Sequence, residues 1–165
     1  RPDLAVTALD ASPHMLDLAR RRVASARLPN VVLAAGDLAG LGVAGASVGA
    51  VTAGYALRNA PAWRAALAEL ARVVRPGGHL FTLDFYRPAS ILWRGAFLSW
   101  LSASGQLVGW WWHRQPMAYG YIARSIDHFV SWTDFSRGLE GEGFRVEAVR
   151  RHLGGGIALH HAIRR

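Results

Sequence analysis

Polar side chains recur at the ends of three successive apolar runs, and their types suit recognition of a nucleoside. Asp10 closes the run Leu4–Asp10, Asp37 follows Gly36 after Val31–Ala35, and Arg58-Asn59 follow Val48–Tyr55. A carboxylate at a strand end can accept hydrogen bonds from both hydroxyls of a ribose, the task expected of Asp10. Gly36 lets the backbone approach a ligand closely, and Asp37 beside it can accept from an adenine amino group. Arg58 and Asn59 lie on the loop that would face a second substrate. Either Asp alone reads better as a helix cap or turn former. Recurrence at successive strand ends favours a nucleoside site, because open parallel sheets gather ligands at the carboxyl ends of their strands.

The elements that must position these residues alternate. Leu4–Asp10 reads as a strand; Ser12-Pro13 supplies a cap and a first-turn proline; Met15, Leu16, Ala19 and Val23 then recur at helical spacing. Val31–Ala35 and Val48–Tyr55 are further strands. Pro61 is expected to open a helix with Leu67, Leu70, Ala71 and Val74 on its buried stripe, stopped by Pro76-Gly77-Gly78. His79–Phe85 is a strand, 88–128 a Trp-rich helical insertion, and Thr133–Glu140 a helix. Phe144–Arg151 and Gly156–Ile163 pair antiparallel at the sheet edge across Leu153-Gly154-Gly155. This alternation predicts an α/β fold with a mostly parallel, doubly wound sheet and an antiparallel C-terminal edge strand.

Composition sets bounds. The 165 residues are one domain's worth of chain, and 52% apolar residues are incompatible with a wholly disordered one. There is no cysteine, which removes disulfides and thiolate metal sites, and no metal is expected. The net charge of +8 is carried entirely by arginine, and it favours anionic partners. No helix-turn-helix, finger or ribonucleoprotein signature accompanies it, so no nucleic-acid partner is expected. Gly95 to Trp112 carries no charged residue. It falls short of the ~20 apolar residues of a membrane span and contains serines and a glutamine. An amphipathic cover against a membrane or a greasy substrate is the better expectation, since tryptophan prefers interfaces.

Two motifs are decoys on their context. Gly40-Leu41-Gly42-Val43-Ala44-Gly45 satisfies the dinucleotide fingerprint, but a strand rather than a helix follows it. Gly45-Ala46-Ser47-Val48-Gly49 satisfies the nucleophile-elbow pattern, with Asp84 and His160 in hydrolase order, yet the strand and helix around Ser47 are reversed. A serine hydrolase using Ser47 is a remote alternative.

Beyond these local readings, Leu9-Asp10-Ala11-Ser12 with Met15-Leu16, Gly36-Asp37, Leu57-Arg58-Asn59, Arg72-Val73 with Pro76-Gly77-Gly78, Leu83-Asp84-Phe85 with Pro88, Tyr119, Tyr121, Ser125-Ile126 and Gly155-Gly156-Ile157 with Leu159-His160 form an ordered series. In this series the chain resembles the ubiquinone/menaquinone C-methyltransferases, a family of class I S-adenosylmethionine-dependent enzymes. The Leu-Arg-Asn triplet and the stretch 118–126 are its specific parts. Val48-Gly49 departs from an aromatic-Asp pair usual in the family, and Val130 from a proline. The resemblance implies a Rossmann-like methyltransferase sheet, S-adenosylmethionine as cofactor, and C-methylation of a prenylated quinol, demethylmenaquinol above a benzoquinol. It assigns Asp10, Gly36 and Asp37 to the cofactor, Arg58 and Asn59 to catalysis, and Tyr55, Arg58, Tyr119 and Tyr121 to the acceptor. Arg58 would stabilise a developing phenolate; His113, His128 and His160 are candidates for the proton acceptor by residue type. It also implies a cytoplasmic enzyme, peripheral at the inner membrane face. Nothing in the chain corresponds to the family's first, central strand and glycine-rich loop. Residues 1–165 are therefore expected to be a single, N-terminally truncated methyltransferase domain. The alternative is a non-catalytic remnant that binds a partner through open strand edges.

Overall fold

The computed structural model describes residues 3–108, 111 and 120–165. The chain divides into two compact units, Arg1–Val43 and Ala44–Arg165. In the first, β1 (Val6–Asp10) leads to α1 (Pro13–Ser25) and β2 (Val31–Ala35). The two strands pair in parallel, with Asp10 opposite Ala35. Ser12 caps α1, its hydroxyl accepting from the Met15 amide at 3.4 Å, and Pro13 takes the first turn. Of the expected apolar stripe, Leu16 is buried, Ala19 and Val23 are half-buried and Met15 is exposed.

The second unit carries β3 (Val48–Gly54), a 3-10 turn at Leu57–Asn59, α2 (Trp63–Val73), β4 (Val74–Phe85), α3 (Ile91–Val108), α4 (Gly120–His128), α5 (Trp132–Gly141), β5 (Phe144–His152), a second 3-10 turn at Leu153–Gly155, and β6 (Ile157–Arg164). Its four strands run in the order β3-β4-β6-β5. The β3–β4 pair is parallel, while β6 runs antiparallel to both β4 and β5. The last strand is thus the antiparallel one, and it lies inside the sheet with β5 at the edge. Among the described residues β1 pairs only with β2, and β3 only with β4, so each keeps one open edge.

Two boundaries move for physical reasons. Pro61 precedes α2 rather than opening it, because Ala62 is the non-helical cap (φ -126, ψ 77) and its carbonyl receives the Ala66 amide at 3.1 Å. The helix then stops at Val73 without help from Pro76-Gly77-Gly78. That triplet lies within β4, where the register jumps from Val48 opposite Val74 to Ala50 opposite His79. Gly77 sits at φ +74, and a Cβ on Gly78 would come within 2.7 Å of Val74 Cγ1 and 2.8 Å of the Arg75 carbonyl oxygen. The glycines let the strand double back on itself there. Val74, expected on the helix, is instead a buried first residue of the strand.

Alternation along β4 and β6 buries Leu80, Thr82, Asp84, Ala158, His160 and Ala162. A dense aromatic core surrounds His160. The Phe135 ring centroid lies 5.0 Å away and that of Tyr86 5.3 Å. Trp63, Phe129 and Phe135 continue the cluster toward α2. Gly138 of α5 lets that helix close on α2, since a Cβ there would sit 2.7 Å from the Trp63 ring.

His160 is fully buried, with Nε2 3.1 Å from Ser136 Oγ and 3.3 Å from the Trp132 carbonyl oxygen, and Nδ1 3.3 Å from the Tyr86 hydroxyl. Burial lowers its pKa from 6.5 to about 4, the Trp132 carbonyl opposing this only in part. Burial likewise pushes the Tyr86 phenol well above its usual range. A histidine held neutral in the fold is protonated more readily once unfolded. Its contribution is therefore complete above pH 6.5, declines as the pH falls from 6.5 toward about 4, and is flat below. All seven tryptophans lie in the second unit, so their fluorescence reports its unfolding. Urea titrations should show about 3 kcal/mol of stability lost between those two pH values. His160→Gln should remove most of that pH-dependent loss while lowering stability throughout; an unchanged pH profile would contradict the neutral, buried assignment.

Candidate functional site

Asp10 and Asp37 stand at the carboxyl end of the β1–β2 pair. Asp10 Oδ1 accepts the Ser12 amide at 2.8 Å, so one carboxylate oxygen sets the turn into α1. Asp37 Oδ1 accepts the Ala39 amide at 2.8 Å, and the Asp37 carbonyl accepts the Gly40 amide at 3.0 Å. Gly36 joins the two ends, its amide donating to the Asp10 carbonyl at 3.3 Å, and its flank is closed by Leu9. The turn-forming role open in sequence is therefore real for both acids. It occupies one oxygen of each; Asp10 is half-buried and Asp37 exposed.

The second group centres on Arg58. Its side chain is 4% exposed and its Nη1 lies 3.0 Å from Asp84 Oδ1, an ion pair whose acid is 1% exposed. The Arg58 amide also donates to Asp84 Oδ2 at 3.1 Å, and its Nε donates to Ser125 Oγ at 3.2 Å. Its guanidinium carbon lies 5.4 Å from the Phe85 ring centroid, within cation–π range. Burial pushes the Asp84 carboxyl above the usual carboxylate range, against the pull of these two Arg58 bonds and of the Phe85 amide at 2.8 Å. The charge expected to face a substrate oxygen is thus held by Asp84. Arg58 ties β4, the Leu57–Asn59 turn and α4 together.

Around this buried pair the exposed groups are Tyr55, Asn59 and Tyr121. Tyr55 stands at φ +55, ends β3 with its amide bonded to the Leu83 carbonyl at 2.7 Å, and places its ring 5.4 Å from Phe85. Its carbonyl receives Asn59 Nδ2 at 3.0 Å and Arg58 Nη1 at 3.4 Å. Tyr121 is half exposed on α4, four residues before Ser125 and so on the same helix face. Tyr119 lies outside the described residues.

Sequence reasoning missed Asp84 as Arg58's partner and assigned it only to the decoy triad. The remaining signal was its place in Leu83-Asp84-Phe85, an acid alternating with apolar residues in a buried strand. Of the proton-acceptor candidates, His160 is sealed in the core. His128 is exposed with Nδ1 2.8 Å from the Arg124 carbonyl, and His113 lies outside the described residues.

Neither decoy has the geometry its chemistry needs. No helix follows Gly40–Gly45, only the start of β3. Ser47 donates to the Ala44 carbonyl at 2.7 Å and sits where β3 begins, whereas Asp84 lies where the parallel neighbour β4 ends. About 20 Å of strand separates those two ends, which rules out a shared triad. Among the described residues no cluster of three or more His, Asp or Glu could hold a metal ion. No described helix is long and apolar enough to cross a membrane.

Comparison with known proteins fits this arrangement. The ubiE/COQ5 methyltransferase family profile matches residues 1–164. The chain is 29% identical to a demethylmenaquinone methyltransferase of Listeria welshimeri over 164 residues, covering 99% of this chain and 70% of that protein. It is 33% identical over 163 residues to the enzyme of that name from Paenarthrobacter aurescens, covering 95% and 60%. The crystal structure of a SAM-dependent methyltransferase from Aquifex aeolicus superposes with a TM-score of 0.63 at 17% identity, over 95% of this chain and 67% of that one. The [4+2]-cyclase SpnF superposes with a TM-score of 0.71 at 13% identity, over 98% and 66%. These likenesses establish a Rossmann-like methyltransferase fold.

Arg58→Met should strand the Asp84 carboxylate in the core and cost about 3–5 kcal/mol in urea unfolding followed by tryptophan fluorescence. The double variant Arg58→Met/Asp84→Leu should recover most of that loss. A single variant as stable as the parent would show that the pair is not a buried unit.

Proposed function

Because the chain belongs to the ubiE/COQ5 methyltransferase family, we propose that it C-methylates a prenylated quinol, with demethylmenaquinol as acceptor and S-adenosylmethionine as methyl donor. The likeness to demethylmenaquinone methyltransferases supports the naphthoquinol over a benzoquinol. The carrying observation is spatial. Three stretches far apart in sequence, 55–59, 83–85 and 121–125, meet on the Arg58–Asp84–Ser125 network beneath exposed Tyr55, Asn59 and Tyr121.

The donor-holding residues fit the nucleoside end of the cofactor. Asp10 and Asp37 each commit one oxygen to a backbone amide, and their second oxygens carry no hydrogen bond among the described residues. Those oxygens suit the ribose hydroxyls and the adenine amino group respectively. When bound, the sulfonium supplies an already activated methyl group. The protein must then align a ring carbon and keep it electron-rich while excluding water. On this reading Asn59 orients the acceptor oxygen, Tyr55 and Tyr121 flank its ring, and Arg58 holds the turn, β4 and α4 together through Asp84 and Ser125. His160 is sealed in the core, out of reach of an acceptor held by the exposed groups.

The open edges of β1 and β3 support a working domain in which residues 1–165 take a further strand and the glycine-rich loop from an additional segment. On this reading the enzyme is cytoplasmic and works peripherally at the inner membrane face, where a lipid-borne acceptor is found.

Calorimetry on the full-length protein should show S-adenosylmethionine binding, weakened about tenfold or more in Asp10→Ala. With demethylmenaquinol added, mass spectrometry should detect the ring-methylated product, with Asn59→Ala slowing turnover about tenfold or more at little cost in cofactor affinity. Cofactor binding without product from demethylmenaquinol would refute the acceptor assignment, and no cofactor binding would refute the enzyme itself.

A further inference from the structure

Helix α3 presents an apolar stripe that stands exposed among the described residues. Leu92, Trp93, Ala96, Trp100, Ala103 and Leu107 fall on one side of the helix, and all are exposed. Leu92 is 88% exposed, Leu107 65% and Trp100 58%, and Trp111 beyond the helix is 79% exposed. From Leu92 to Leu107 the stripe is about 22 Å long at helical rise. The only charge on α3, Arg94, lies on the opposite side, 3.8 Å from Asp127 of α4. Ser104 turns its hydroxyl back onto its own helix, donating to the Trp100 carbonyl at 2.7 Å. The stripe therefore offers apolar surface with little unsatisfied polarity.

It does not end at the helix. Trp93 Nε1 donates to the Leu153 carbonyl at 2.9 Å, and Trp93, Ala96, Phe97, Trp100 and Leu153 line a groove of about 350 Å³. Exposed Arg150, Arg151 and His152 immediately precede Leu153 at the end of β5. Arg151 keeps its guanidinium 4.8 Å from the Trp132 ring. Asp127 meets α3 only on the side away from the stripe, through Arg94. No acidic residue occurs between Asp84 and Asp127, or anywhere after Glu147.

We propose that this face, the α3 stripe with the Leu153 groove and the arginines beside it, is a docking surface for the headgroup region of an anionic lipid bilayer. Tryptophan bodies and leucines enter the acyl boundary while the arginines meet acidic headgroups, the pattern of an in-plane interfacial helix. The inference rests on the lipid-borne acceptor proposed above, but its test uses neither acceptor nor cofactor.

The experiment is flotation of the full-length protein with phosphatidylcholine vesicles containing about a third phosphatidylglycerol, against phosphatidylcholine alone. The protein should partition at least about tenfold more strongly onto the anionic vesicles and lose most of that preference in high salt. Leu92→Gln/Leu107→Gln should reduce binding about tenfold or more, and Arg150→Gln/Arg151→Gln about tenfold or more on anionic vesicles only. Circular dichroism checks that both variants fold. On the parent protein, lipids brominated near the headgroup should quench tryptophan emission. Binding unaffected by the leucine changes, or no vesicle binding at all, overturns the proposal. So does a dimer, seen by light scattering, that the same leucine changes abolish. Vesicle binding without methyl transfer would defeat the functional proposal and leave this surface standing; methyl transfer without vesicle binding would do the reverse.

Discussion

A buried arginine must be matched by a buried acid, and the Arg58–Asp84 pair is the constraint from which the second unit's site follows. Desolvating both groups is expensive, so the geometry around them has little freedom: each remaining donor and acceptor must find a partner. The Arg58 amide and Nη1 hold both oxygens of Asp84, and Nε reaches Ser125 on a helix 67 residues further along the chain. The turn at Leu57–Asn59 is thereby fixed to β4 and α4 together. Leu57 and Ile126, each at most 1% exposed, pack the same junction with apolar surface. The exposed side chains above it inherit their positions from a network that solvent does not reach. Such pairs more often specify an arrangement than add stability.

The second unit can carry that arrangement because its core is well filled. The sheet's buried face meets α2 and α5 through Trp63, Phe135, Tyr86 and Phe129, with a neutral histidine among them. Close approach of α5 depends on Gly138, and the doubled-back start of β4 depends on Gly77 and Gly78. The first unit is thinner. Leu16 is its one fully buried apolar residue among those described, while Leu4, Val6, Met15 and Val32 remain exposed. Its two acids nonetheless have local order, each anchored by a single backbone amide.

Much of this was legible in the sequence because it is local. The strands 31–35 and 79–85, the Ser12-Pro13 cap and the antiparallel closure at 144–164 are dictated by period, cap and turn chemistry acting over a few residues. The same local logic failed at Pro61 and at Pro76-Gly77-Gly78. A proline and two glycines mark irregular backbone, but whether the irregularity ends a helix or buckles a strand depends on the pairing with β3. The site divided the same way. Asp10, Gly36 and Asp37 were placed by strand ends alone. Arg58 was found but its partner was not, because the acid that neutralises it lies 26 residues away on a strand whose inward face is set only by folding. His160 was named for its residue type, and its burial and lowered pKa are properties of the packed core around it.

The most direct test asks whether the buried pair orders the acceptor side independently of cofactor binding. In the full-length Arg58→Met/Asp84→Leu protein, transfer of a labelled methyl group to demethylmenaquinol should fall about a hundredfold, while S-adenosylmethionine affinity stays within about twofold of the parent. Turnover retained without the pair, or cofactor binding lost along with it, would contradict the account.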